Sequence, residues 1–229
     1  MTQDSTQLVG TVFIVDDEEA VRDSLSLLMR SVGLRSQTFT NAISFLASYE
    51  PSQRGCLILD VRMPHMSGLD LQQELKRRGW NPPIIFITCH GDVPMAVEAM
   101  RAGATAFLQK PFNFDELIRR VNAALALDAE QQQRQLGREA RRERYAKLTP
   151  REREIATRLC TGAANKALAR ECGLSERTIE THRANILRKM AAKGVADLAQ
   201  MILLLGLTDY GLPAGPDPQP TDPLYFRPR

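Results

Sequence analysis

Four apolar runs in the first half of the chain end in residues that could do chemistry together. Val12-Phe13-Ile14-Val15 runs into Asp16-Asp17, Cys56-Leu57-Ile58-Leu59 into Asp60, Ile84-Ile85-Phe86-Ile87 into Thr88, and Ala106-Phe107-Leu108 leads to Lys110-Pro111. Alone, Asp60 reads more readily as a residue that turns the chain after a strand. Its company changes that reading. Carboxylates a few ångströms apart resist joint ionisation, so a cluster of Asp16, Asp17 and Asp60 calls for a compensating cation. Magnesium suits the case, because it takes oxygen ligands and keeps waters that a phosphate oxygen can displace. A lysine and a threonine hydroxyl facing the same point would hold the remaining phosphoryl oxygens. The set describes in-line phosphoryl transfer to a carboxylate nucleophile, where catalysis is positioning and charge stabilisation.

The elements that must position these residues are legible from hydrophobic pattern. Apolar runs without polar alternation read as strands buried on both faces, as in parallel sheets. A helix after Glu19 carries Val21, Leu25, Leu28, Met29 and Val32 on one face, and Gly33 ends it. A weaker strand, 35–39, precedes a helix around 42–48. Further helices follow at about 69–78, from a cap at Asp92 to about Arg101, and from Asn113 to Ala124, where Glu116 gives capping-box spacing. Five strand and helix alternations in about 120 residues predict a doubly wound, flavodoxin-like parallel sheet with helices on both faces. Ligands in such sheets bind beyond the carboxyl ends of the strands, which is where the five polar residues fall.

The motifs IVDDEE, LILDVRMPHMSG, FITCHGD and FLQKPF, in this order and spacing, make residues 10–125 resemble the receiver domain of two-component response regulators. The resemblance implies that Asp60 accepts phosphate from the phosphohistidine of a sensor histidine kinase. It implies that Asp17, Asp60 and the backbone carbonyl of Arg62 hold Mg2+ with Asp16 assisting, and that Thr88 and Lys110 bind the phosphoryl group. Phe107 matches the aromatic that moves inward when the threonine shifts, and the Lys110-Pro111 bond is expected to be cis. Cys89 stands where many relatives have a small residue. Arg62 and His90 hold positions that tune acyl-phosphate lifetime in the family.

From 126 to 147 the chain turns rich in Gln, Arg, Glu and Ala, which favours a solvated helical linker interrupted at Gly137. Thr149-Pro150-Arg151-Glu152 is then a helix start, with Thr149 as cap, Pro150 at the first position and Glu152 completing the capping box. A short helix at about 165–172, a turn at Gly173-Leu174 and a helix from a Ser175 cap to Met190 form a helix-turn-helix, with Leu174 and Ile179 placed as a hydrophobic staple. A last helix, 195–205, carries Leu198, Met201, Ile202 and Leu205 on one side. In the 175–190 helix, Ile179, Ile186, Leu187 and Met190 form the core face. Glu180, Thr181 and Ala184 lie away from it, where they can meet base edges, while Arg177, Thr178, Arg183, Arg188, Lys189 and the amide of Lys166 can meet phosphates. The motifs LTPREREI, NKALA and LSERTIETHRANILRKM make 148–206 similar to DNA-binding domains of the LuxR and FixJ type. In that family the last helix pairs two copies on DNA, and His182 is read here as structural.

Bulk properties agree with this division. Of 30 basic and 27 acidic residues, the segment from 126 onward holds the basic excess, as a partner of a polyanion should. No apolar run has the length of a membrane span, and Met1–Gly10 is polar with no signal segment, so the expectation is a cytoplasmic protein. Four widely spaced cysteines without a CxxC pair are expected to be reduced and mostly buried. The proline-rich tail, 207–229, is expected to be disordered or extended. The rival reading, a magnesium phosphatase with an aspartyl nucleophile, needs an acid two residues after Asp60, where Arg62 stands. A third makes the receiver a pairing scaffold indifferent to phosphate. The sequence therefore predicts an α/β receiver followed by an all-α helix-turn-helix domain: a transcriptional regulator, not an enzyme beyond its own phosphorylation and dephosphorylation. Its expected partners are a sensor histidine kinase, double-stranded DNA, a second copy in a phosphorylation-induced homodimer, and RNA polymerase.

Overall fold

The computed structural model describes residues 10–89 and 93–207. The Asp92 cap, His90 and the proline-rich tail beyond Leu207 lie outside the described residues. The chain divides into two compact units between Gln133 and Arg134.

The first unit follows its apolar runs. Strands β1 (Thr11–Val15), β2 (Arg35–Phe39), β3 (Gly55–Asp60), β4 (Ile84–Thr88) and β5 (Ala106–Gln109) alternate with helices α1 (Glu19–Ser31), α2 (Ala42–Ser48), α3 (Gly68–Arg77), α4 (Val93–Arg101) and α5 (Phe114–Ala146). All strand pairs are parallel, in the order β2-β1-β3-β4-β5. Because side chains alternate along a strand, each central strand feeds two cores. Phe13, Val15, Leu57, Leu59 and Phe86 pack with Phe45, Leu71, Leu75 and Ala99 of α2, α3 and α4. Val12, Ile14, Cys56, Ile58, Ile85 and Ile87 pack on the opposite face with Leu25 and Met29 of α1 and with Leu117, Val121, Ala124 and Leu125 of α5. That two-sided burial is why these runs lack polar alternation.

Helix ends show local chemistry at work. Gly33, at φ 76°, closes α1, with its N–H on the Arg30 carbonyl and the Leu34 N–H on the Met29 carbonyl, a Schellman arrangement. Val32 is exposed there, not on the buried face, because the helix stops at Ser31. Asn113 accepts from the amides of Asp115 and Glu116, but the Glu116 carboxylate reaches Arg119 and Arg120 and leaves the expected capping box open. The larger correction concerns α5, which does not stop at Ala124 or break at Gly137 but runs for 33 residues. A glycine in a helix interior costs only about 1 kcal/mol, less than the surrounding Gln, Arg, Glu and Ala residues can offset together.

The second unit is all helical: α6 (Pro150–Cys160), α7 (Asn165–Cys172), α8 (Glu176–Met190) and α9 (Val195–Leu204). Thr149 and Glu152 form the capping box of α6, and Ser175 caps α8. Gly173, at φ 65°, makes the turn between α7 and α8. Ile155, Leu159, Leu168, Ile179, Ile186, Met190, Leu198 and Ile202 form the core, with Leu174, Leu187 and Met201 packed at its edge. Cysteine burial falls short of expectation, since Cys56 is buried, Cys89 exposed, and Cys160 and Cys172 intermediate. Burial and then the nearby Asp128 carboxylate push the Cys56 thiol up to about 12. No helix among the described residues is long and apolar enough to cross a membrane.

Candidate functional site

The strand order turns between β1 and β3, and the residues beyond the carboxyl ends of those strands face the resulting crevice. Asp16 follows β1 and Asp60 ends β3; both are buried. Lys110 comes from the turn after β5, held by its backbone N–H on the Thr88 carbonyl at 2.8 Å and by a cis Lys110-Pro111 bond. Its ammonium lies 2.9 Å from Asp16 Oδ2 and 3.5 Å from Asp60 Oδ1. Three charged groups separated by dozens of residues thus converge on one point.

Each carboxylate is oriented by backbone. The Arg62 N–H donates to Asp60 Oδ2 at 2.7 Å, and the Glu18 N–H to Asp16 Oδ1 at 2.9 Å. Arg22, one turn into α1, donates to the carbonyls of both Asp16 and Asp17 and fixes the loop between β1 and α1. A Cβ added at Gly68, the first residue of α3, would run into the backbone carbonyl oxygen of Asp60, so α3 begins directly against the end of β3. Arg22 and Gly68 escaped the sequence reading. The α3 start was nonetheless readable from Ser67 and Asp70, which form a capping box.

Charge in the crevice is not balanced. Burial raises the Asp60 carboxyl above its ordinary range, with the Asp16 charge adding to the rise, while Lys110 and the Arg62 N–H pull the other way without cancelling it. Burial also works against the Lys110 charge, but its hydrogen bond to Asp16 and the two carboxylates raise it overall. One ammonium is shared by two buried carboxylates. The donor set, carboxylate and carbonyl oxygens only, fits a hard divalent ion that would supply the missing positive charge. The expected triple cluster is not fully assembled. Asp17 is exposed at the rim, and among the described residues no three acidic, His or Cys side chains are gathered to hold a metal. Asp17 lies outside because Asp16, the first residue past β1, takes the buried position and the Lys110 bond.

Thr88 ends β4 in a buried position, paired in register with Gln109. Phe107 is half-buried with its ring 6.2 Å from that of Phe86.

In the second unit, Arg177, Glu180, Thr181, Ala184 and Arg188 stand exposed on α8 and Lys166 on α7, while Thr178, His182 and Arg183 are half-buried. The Thr181 hydroxyl donates to the Arg177 carbonyl, and Thr178 Oγ1 is 2.7 Å from the Ser175 hydroxyl. Lys189 departs from the sequence reading. Its ammonium bonds Glu152 Oε2 at 2.6 Å, so it ties α8 to the capped start of α6 instead of standing free on the surface. A buried carboxylate within reach of a flexible ammonium captures it.

Residues 12–122 match the model of the response regulator receiver domain, and 146–202 that of the bacterial regulatory proteins of the LuxR family. The chain belongs to the response regulators. It is 45% identical over 196 residues to the transcriptional regulatory protein FixJ of Azorhizobium caulinodans, covering 86% of this chain and 93% of that one. To the response regulator protein TodT of Pseudomonas putida it is 45% identical over 192 residues, covering 84% and 85%. Among solved structures, the response regulator StyR aligns with a TM-score of 0.78 at 41% identity, covering 85% of this chain and 98% of that one. This response regulator therefore pairs a receiver with a LuxR-type DNA-binding domain and regulates transcription.

Proposed function

We propose that Asp60 is the phosphoacceptor and that its phosphorylation by a sensor histidine kinase promotes pairing of two copies, whose α8 helices then bind a two-fold symmetric promoter site. The observation that carries this reading is the convergence of Asp16, Asp60 and Lys110 at the turning point of the sheet. Mg2+ would be held by Asp16, Asp60 and the Arg62 carbonyl, joined by the rim carboxylate Asp17, and would screen the charge of the incoming phosphoryl group. Lys110 and Thr88 would hold phosphoryl oxygens, and Phe107 would follow Thr88 inward. Phosphate stabilises one of two arrangements by binding it more tightly, which is all that a switch requires.

On DNA, α8 enters the major groove. Glu180, Thr181 and Ala184 face base edges; Lys166, Arg177, Thr178, Arg183 and Arg188 hold phosphates and set the register. Lys189 is left out of the phosphate set, because it is committed to Glu152. The natural bounds of the working parts are 10–125 for the receiver, 126–147 for the linker and 148–206 for the output domain. On this reading the protein acts in the cytoplasm and meets RNA polymerase at the promoter.

The test is DNA binding on a genome-derived fragment pool, for wild type and Asp60→Asn, with and without magnesium and a small phosphodonor. Gain of affinity by phosphorylated wild type alone is the expected result. Equal binding by both proteins under every condition overturns it and favours a receiver that acts as a phosphate-indifferent scaffold.

A further inference from the structure

Helix α4 is thinly anchored. Of its nine residues Ala99 alone is buried, while Val93 is 77% exposed and Val97 and Met100 also face outward. Few buried contacts place an element at the low end of local stability. One polar anchor comes from α3. Gln72 is 4% exposed, and its Nε2 donates to the Ala99 carbonyl at 3.1 Å, across 27 positions of sequence. Ala99 O can only accept, so the amide must present its nitrogen there, which fixes the position of its oxygen. Among the described residues, Gln72 Oε1 has no hydrogen-bond partner. An orphaned buried carbonyl is unfavourable, and a native fold that keeps one calls for an explanation.

The other end of α3 supplies that explanation. Gly68 and Gln72 are one helical turn apart on the same buried face, with Leu71 and Leu75. Gly68 abuts the carbonyl of Asp60, and Gln72 grips the residue of α4 that is buried. A displacement at Asp60 that moves the start of α3 must move Gln72, because a helix is stiff over one turn. We propose that Gln72 is a positioning residue that couples Asp60 to α4 through α3, holding α4 in its resting place until the acceptor is phosphorylated. The coupling rests on Asp60 being the acceptor.

The experiment uses the full chain and Gln72→Met, which matches glutamine in length and shape but cannot donate. Amide hydrogen exchange without phosphodonor is expected to speed up in α4 by about fivefold, the loss of one ordinary hydrogen bond, with β4 unchanged. The phosphodonor concentration for half-maximal DNA binding is expected to fall several-fold. Unchanged α4 exchange overturns the proposal, and so does an unmoved phosphodonor response. Exchange that rises equally in β4 means general loosening and also overturns it. Failure of wild type itself to respond to phosphodonor points instead to the acceptor assignment, while the exchange arm still judges the hold on α4.

Discussion

Asp60 and Glu152 illustrate opposite ways of keeping a carboxylate in a folded chain. Burial raises Asp60, so the fold binds its proton more tightly than the unfolded chain does. Its contribution to stability is present at low pH and is lost as pH rises through the raised value. Removing the charge should therefore help at neutral pH. Asp60→Asn is expected to melt above wild type at pH 7 in the absence of divalent ions. With millimolar magnesium the gap should close or reverse, because only the wild-type carboxylate gains from binding. Thermal melts with EDTA and with magnesium check both parts. Glu152 works the other way. The Lys189 ammonium first, and the Thr149 N–H and hydroxyl after it, lower its carboxyl from the ordinary 4.5. That stability is present above the ordinary value and is lost as pH falls through the lowered one. Lys189→Met is expected to cost roughly 1–3 kcal/mol at pH 7, by leaving a buried carboxylate without its cation. The gap should narrow below pH 4, as measured by urea denaturation at each pH.

Among elements, α5 departs furthest from expectation. Its 33 residues pass through Gly137 without interruption, because the flanking residues are good helix formers. Gly137→Ala is expected to raise helix content and add roughly 0.5–1 kcal/mol. A new Cβ there meets the Arg141 guanidinium at 3.2 Å, the end of a flexible side chain that can give way. Circular dichroism with a thermal melt checks it; a loss of stability would show that Arg141 does not yield. The short elements contrast with α5. The bounds of β2, α2, α7 and α8 were readable because each is framed by a cap, a glycine or a sharp change in pattern. Asn41, Ser175 and Gly173 mark such ends.

At the scale of the whole molecule, one unit gathers Asp16, Asp60 and Lys110 in a crevice and the other is the LuxR-type DNA-binding domain. If Arg177 and Arg188 each hold a phosphate, the affinity for duplex DNA falls steeply with salt. Each arginine replaced by alanine should lower the slope of log affinity against log salt by about 0.9. Lys189→Ala should change the slope less, since that ammonium is occupied by Glu152. Titrations at four salt concentrations separate these cases. An equal fall for all three variants would mean that Lys189 leaves Glu152 for the DNA.

The alternation of elements, the order of the site residues and the helix-turn-helix were all legible in the chain, because they follow from local pattern: period, caps, turns and strand ends. Asp16, Asp60, Thr88 and Lys110 could be picked out because each closes an apolar run. Tertiary structure alone decided what those residues meet. Lys110 bridges Asp16 and Asp60, Asp17 stays at the rim, Gly68 lies close against the end of β3, Gln72 holds Ala99, and Lys189 goes to Glu152. These contacts join positions far apart in sequence. Spacing along a chain fixes which face of an element a side chain takes, but its partner across the gap depends on how two elements pack, and no local period carries that information.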